Sequence, residues 1–255
     1  MNNFVKLPLY FKPQYKTNLI RIGNINDGGY LIPEQSLNAS RLLYSFGLAD
    51  DWSFEEEFFI KTNAKVICYD PTVNWKFFVK LFFRNFKSFL KYYQYKSFFN
   101  GKNIIHEQKI ISPAGTFFKS INKNDIVDLD TLLTESSKKN IFFKIDIEGH
   151  EYRILNQLIK YASRMTGLAI EFHNCDLNSL RIQDFIKRFD LQLVHIHVNN
   201  WGFISPSRFP SALELTFSPK QFNRKAIDLN DKFPNDLDSP NDPNLNDYSI
   251  EFDIK

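Results

Sequence analysis

The feature that most constrains this chain is the spacing of its apolar, β-rich runs. Five of them, LLYSFG (42–47), KVICYD (65–70), NIIHEQKII (103–111), IFFKIDIE (141–148) and GLAIEFH (167–173), are separated by stretches of different pattern. Helical readings fall on SFEEEFFIKT (53–62), EYRILNQLIKYA (151–162) and LNSLRIQDFIKRF (177–189). In the second of these, Tyr152, Leu155, Leu158 and Ile159 share one face. Near-continuous apolar strands alternating with helices predict a parallel sheet covered on both faces. Two further strands, LQLVHIHVN (191–199) and ALELTFS (212–218), are joined by a Pro/Gly/Ser loop with no helix, so they predict an antiparallel hairpin at one edge.

The fold class expected is therefore α/β, a mostly parallel seven-stranded sheet with a C-terminal antiparallel edge hairpin, as in Rossmann-like methyltransferases. A chain of 255 residues suits one such domain, 1–255. Within it lie an N-terminal extension (1–40), an aromatic and basic helical insertion (74–100) and an acidic C-terminal segment (226–255). Ligands of such sheets sit at the carboxyl ends of the strands, near the point where the strand order reverses. That rule puts Gly47, Asp70, Asp146, Glu148 and His173 along one edge.

Gly47 permits a tight turn and close approach of a ligand after the first strand. The surrounding SFGLADDW carries a single glycine, so the GxGxxG cradle for a dinucleotide pyrophosphate is absent. Asp70 ends the second strand, where a carboxylate can accept both hydroxyls of an adenosine ribose. One glycine plus this acid fits an adenosine ligand without a diphosphate, such as S-adenosylmethionine; a turn beginning at Asp70-Pro71-Thr72 is the alternative. GNINDGGYLIPE (23–34) is a glycine-rich turn whose Asp27, Gly29 and Tyr30 are candidates to face the cofactor, against a plain β-turn between two short strands.

Asp146 and Glu148 share one side of a strand, as do Glu171 and His173. A carboxylate at Asp146 can steady the cofactor's amino group, hold a divalent ion such as Mg or Mn, or accept a proton from an attacking hydroxyl. Asp146, Glu148 and His173 are the catalytic candidates, and Asp146, Glu171 and His173 the metal-ligand candidates. A hydrogen-bonded histidine at a strand end is the competing account of His173. Glu151 reads as favoured by the dipole at the next helix start. His150 reads as lining a pocket. His197, Asn199 and Asn200 of HIHVNN (195–200) are candidates for sugar hydroxyls, with edge-strand packing as the alternative.

These segments together resemble the FkbM-type S-adenosylmethionine-dependent methyltransferases. The likeness is most specific in DLDTLLTESSKKNIFFKIDIEGHEYRIL, where the family shows an acidic, Leu-rich helix and then a strand with Lys-Ile-Asp-hydrophobic-Glu-Gly-x-Glu. DGGYLIP, YSFGLADDWSFEEEF, YDPT, EFH, HVNN, PSALELTF and LDSPNDPNLNDYSIEF follow a divergent branch of the family, so the resemblance spans nearly the whole chain outside 74–100. It implies methyl transfer to a hydroxyl, often on a sugar or polyketide, and the expectation that follows is an O-methyltransferase of a sugar or nucleotide-linked sugar in surface polysaccharide formation. It also implies cofactor contacts from Gly47, Asp70 and Glu55, and a methyl-transfer centre at Asp146 and Glu148. The match to the family's closing segment implies that the acidic tail docks on the domain.

The insertion NWKFFVKLFFRNFKSFLKYYQYKSFFN (74–100) holds twelve aromatic and six basic residues and no acid. Its lysines and arginine recur at helical spacing, leaving open core or homo-oligomer packing, a substrate lid and peripheral membrane contact. Residues 226–255 carry eight acids and two bases, so the net +3 of the chain leaves +9 on residues 1–225. A basic body suits an anionic, diphosphate-linked acceptor, with a generically solvated surface as the alternative, and no nucleic-acid partner is expected. The two cysteines lack CxxC spacing, and no signal-peptide core or transmembrane run is present, so the expectation is a cytoplasmic protein with reduced thiols. A non-catalytic scaffold that uses the aromatic helix to bind a partner is the rival function.

Overall fold

The computed structural model describes residues 3–84, 88–113, 116, 125–134, 139–222, 225–226 and 231–253. Its centre is a seven-stranded sheet: β1 (Leu42–Phe46), β2 (Lys65–Tyr69), β3 (Ile104–Glu107), β4 (Ile141–Ile145), β5 (Met165–His173), β6 (Gln192–Val198) and β7 (Ala212–Ser218). In space they run β3-β2-β1-β4-β5-β7-β6. Strands β1 to β5 pair in parallel, while β7 is antiparallel to both β5 and β6. The order reverses between β1 and β4, which opens a crevice at their carboxyl ends.

Side-chain alternation divides the core in two. Leu42, Tyr44 and Phe46 of β1 join Ile141, Phe143 and Ile145 of β4 in one buried cluster. Leu43 and Phe142 belong to the other, with Val66, Cys68 and Phe58. The opposite faces are covered by helices that include α1 (Glu34–Ala39), α2 (Ser53–Thr62), α6 (Leu155–Tyr161) and α7 (Cys175–Arg188), with α3 (Trp75–Arg84), α4 (Ser88–Phe98) and α5 (Leu129–Thr134) between them in the chain. Burying apolar surface on both faces contributes roughly 25 cal/mol per Å², the main favourable contribution to such a fold.

Three boundaries differ from the sequence reading. The run 103–111 breaks after Glu107, and Ile110–Ile111 pairs with Ile126–Val127 outside the central sheet. Residues 74–100 form two helices rather than one, with Asn74 Oδ1 capping α3 by accepting from the Lys76 and Phe77 amides at 2.9 and 3.2 Å. The helix expected from Glu151 opens as a 3₁₀ turn, Glu151–Arg153, before α6. Residues 85–87 of the insertion and 135–138 of the Leu-rich stretch lie outside the described residues.

The glycine-rich loop joins a hairpin of Leu19–Ile22 and Tyr30–Pro33. The tail docks: Ser249–Asp253 pairs in parallel with Phe4–Pro8. Earlier tail residues bridge the hairpin and the sheet edge, through Arg21 to the Leu237 carbonyl, Asn26 to the Pro240 carbonyl, and Asn241 to both Asp27 and Glu214.

Candidate active site

Two clefts open side by side at the carboxyl edge. The first, about 420 Å³, lies over β1, β2 and β4 and is lined by Gly47, Leu48, Asp70, Ile111 and His150. The second, about 510 Å³, lies over β4, β5 and β7 and is lined by Asp27, Glu171, His173, Asn199, Trp201 and Phe203. Asp146 and Glu148 border both. A larger cavity of about 690 Å³ lies between α2 and α4, away from these residues.

The backbone explains why the clefts meet at β4. Gly47 has φ +88°, and a Cβ there would stand 1.7 Å from the Asp146 carbonyl oxygen, so only glycine lets β1 and β4 close this tightly. Beyond Asp146 the chain turns sharply through Glu148 and Gly149, at φ +55° and +92°. That reversal tucks Glu151 beneath the strand end, where it is completely buried. Its Oε1 accepts from the amides of Ile147 at 3.2 Å and Gly149 at 3.1 Å, and from His173 Nδ1 at 3.0 Å. Glu151 thus fixes the ring of His173 and turns Nε2 toward Asp146 (3.8 Å), Glu148 (3.5 Å) and Glu171 (3.5 Å). Burial would lower the His173 pKa, but the Glu151 hydrogen bond and the surrounding carboxylates outweigh it and raise the value.

Glu171 is 4 % exposed, and its Oε1 accepts from Asn199 Nδ2 at 2.7 Å. The Tyr30 hydroxyl reaches both Glu171 (3.5 Å) and Asp146 (3.3 Å) from the N-terminal hairpin. Burial, then the neighbouring Asp146 and Glu214, push the Glu171 pKa well up. Asp146, Glu171 and His173 offer ligand atoms that all lie within 4.8 Å of one another. The second cleft is therefore locally acidic, opposite in sign to the chain as a whole.

Other expected residues lie elsewhere. Glu55, in the first turn of α2, is fully buried against Ser45 Oγ and 3.8 Å from Lys144 Nζ, and it does not line the first cleft. Lys144 in turn donates to the Gly47 carbonyl at 2.7 Å. Asp70 borders the first cleft with its carboxylate already engaged: Leu48 N (2.8 Å) and Ala49 N (3.0 Å) donate to one oxygen, Thr72 N (2.7 Å) and Thr72 Oγ1 (2.6 Å) to the other. Burial opposes ionisation there, yet these four donors hold its pKa below the ordinary value.

His197 is buried between Glu214 (Nδ1, 3.2 Å) and Asp247 (Nε2, 2.9 Å), and Asn200 is buried against the backbone of Asp242. Both hold the tail rather than a substrate, because the tail covers this part of β6. Asn199 lines the second cleft, where its amide is committed to Glu171. Gly29 is buried where a Cβ would meet the Asn24 carbonyl at 1.8 Å, so it serves the hairpin turn, and Tyr30 faces the acids rather than the first cleft. Sequence reading missed Glu151 as the partner of His173, Tyr30 as the partner of two acids, and the exposed rings of Trp201 and Phe203 at the second cleft. The last pair had a signal: two aromatics in the polar loop NNWGF.

The strand order with antiparallel β7 set between β5 and β6, and clefts at the reversal point, define the Rossmann-like methyltransferase fold. No family model matches the chain, and no curated protein matches it as a relative. Solved structures similar in fold include an rRNA methylase from Streptococcus thermophilus, 11 % identical over 72 % of this chain and 90 % of that one, with a TM-score of 0.39. A putative sarcosine dimethylglycine methyltransferase from Galdieria sulphuraria is 10 % identical over 72 % and 80 %, with a TM-score of 0.36. TYW2 of M. jannaschii in complex with AdoMet is 11 % identical over 80 % and 88 %, at 0.35. Likeness at this level carries nothing about the reaction.

Proposed function

We propose that this protein is an S-adenosylmethionine-dependent O-methyltransferase of the FkbM type, acting on a hydroxyl of a sugar or nucleotide-linked sugar in surface polysaccharide formation. The observation that carries the reading is the pair of clefts sharing Asp146 and Glu148 at the strand-order reversal. The first cleft fits the cofactor: it is adenosine-sized, partly apolar through Leu48, Ile110, Ile111 and Ile147, and floored by a glycine where no side chain has room. Bound there, the cofactor supplies an electrophilic methyl group. The exposed rings of Trp201 and Phe203 beside the carboxylates of the second cleft suit a polyol, whose apolar face stacks on aromatics while its hydroxyls meet acids.

In this reading Asp146, which borders both clefts, accepts the proton of the acceptor hydroxyl. Glu171, Asn199 and Tyr30 hold the acid cluster in place, which orients the hydroxyl for in-line attack. Asp146, Glu171 and His173 would hold a divalent ion, Mg or Mn, with Glu151 orienting the histidine from behind. Such an ion would lower the pKa of a bound hydroxyl and offset the carboxylates.

The test is calorimetry with S-adenosylmethionine and S-adenosylhomocysteine, followed by a tritiated-methyl transfer screen over nucleotide sugars with and without chelator. Asp146→Asn should retain cofactor affinity and lose transfer by about a hundredfold or more. Full activity in that variant refutes the role of Asp146, and unchanged transfer under chelation refutes the metal. One observation favours a second reading, a non-catalytic scaffold: the Asp70 carboxylate is saturated by its own chain. Absence of binding by either cofactor form would establish that reading.

A further inference from the structure

The helical insertion presents two different apolar faces. On the inner face, Phe78 of α3 is 6 % exposed and packs on Tyr92 and Tyr95 of α4, with ring centroids 5.3 and 5.0 Å apart. Tyr95 continues inward to Trp52, Phe99 and His106. The contacts between α3 and α4 are made on this inner face. On the outer face Trp75, Val79 and Phe83 follow at i, i+4 and i+8, a stripe along α3, and are 67, 42 and 82 % exposed. Leu90 on α4 adds another exposed apolar side chain. Lys76 and Lys80 each follow a stripe residue by one position and are exposed, as are Lys96 and Lys102.

We propose that the outer face of α3, with its flanking lysines, docks on an anionic lipid bilayer. An amphipathic helix with Trp and Phe on one side and lysines beside them places its rings at the headgroup level while the ammonium groups meet lipid phosphates. Charge decides against a second copy of the chain. A two-fold contact through this stripe would set Lys76 and Lys80 against the same residues of the other copy, and the segment 74–100 has no acid to separate them. Among the described residues, Lys91 of α4 pairs with Asp50 at 3.1 Å, so that carboxylate is already engaged. No helix among the described residues is long and apolar enough to cross a membrane, so the contact is peripheral. Because α3 begins just after the Asp70–Thr72 turn that borders the first cleft, docking brings that edge of the sheet to the bilayer. The inference does not depend on the catalytic reading.

Flotation of the full chain with vesicles of phosphatidylcholine, with and without about 30 % phosphatidylglycerol, tests it. The protein should float with the anionic vesicles only. Trp75→Ser/Phe83→Ser and Lys76→Glu/Lys80→Glu should each weaken partition by about tenfold or more, with thermal stability preserved because all four side chains are exposed. Equal partition on both compositions, no flotation, or wild-type flotation of either double variant overturns the proposal. So does light scattering that shows a dimer dissociated by Trp75→Ser/Phe83→Ser, which would assign the face to a second copy.

Discussion

Replacing His197 by Asn should destabilise the protein more than most single changes, and in a pH-dependent way. His197 is 1 % exposed and sits between Glu214 and Asp247, with Asp238 also near. Burial alone would lower its pKa, but hydrogen bonds to Asp247 and Glu214 raise it well above the ordinary imidazole value. The variant leaves the buried Glu214 carboxylate without its cation. Breaking a buried pair from one side costs about 3–5 kcal/mol, which for a chain of this size lowers the melting temperature by at least about 6 °C. The exposed Arg188–Asp184 pair, with side chains 50 and 60 % exposed, is the control: Arg188→Ala should cost under about 0.5 kcal/mol. Because the folded-state pKa of His197 is raised, its charge contributes fully below about pH 6.5 and is lost as pH rises through the folded value. The melting difference between wild type and His197→Asn should therefore be largest below about pH 6.5 and shrink as the pH rises. Calorimetric melts across that range measure it. A difference under about 2 °C at pH 6, or one that stays constant with pH, would refute the claim that a charged histidine clamps the tail.

Three further outcomes are expected. Gly47→Ala should abolish cofactor binding in calorimetry and lower the melting temperature, since its Cβ would fall 1.7 Å from the Asp146 carbonyl at φ +88°. Lys144→Met should cost about 3–5 kcal/mol in urea unfolding by stranding buried Glu55, and adding Glu55→Gln should recover most of it; additive losses would show that the two do not interact. Cys68 and Cys175, both buried with thiol pKa values pushed well up by burial, should resist a disulfide exchange reagent in the native state and react on unfolding.

Strand periodicity made the sheet legible, because fully buried parallel strands leave unbroken apolar runs such as those around Phe46 and Ile145. The helix-free connection between β6 and β7 likewise marked the antiparallel pair. Asp146, Glu171 and His173 could be placed at one edge from strand ends alone, and they converge there. What escaped depends on contacts distant in sequence or on backbone reversals. Glu151 reads locally as a helix start, and its service to His173 follows only once Glu148 and Gly149 reverse the chain. Asp70 occupies the expected strand end, but nothing in the sequence states that the Leu48 and Ala49 amides will claim it. His197 and Asn200 looked like sugar ligands because their partners, Asp247 and Asp242, lie in a tail whose composition reads as solvated.

The hydrogen-bonded strands Phe4–Pro8 and Ser249–Asp253 make the two extremities of the described chain immediate neighbours. Contacts between such remote segments raise the contact order, which slows folding. Since the same tail ties down the hairpin that delivers Tyr30 to Asp146 and Glu171, the central sheet can be fully formed while the acid cluster still lacks one of its members. A chain clipped near its end would thus lose both the strand that pairs with Phe4–Pro8 and the ties that hold Tyr30 beside Asp146 and Glu171.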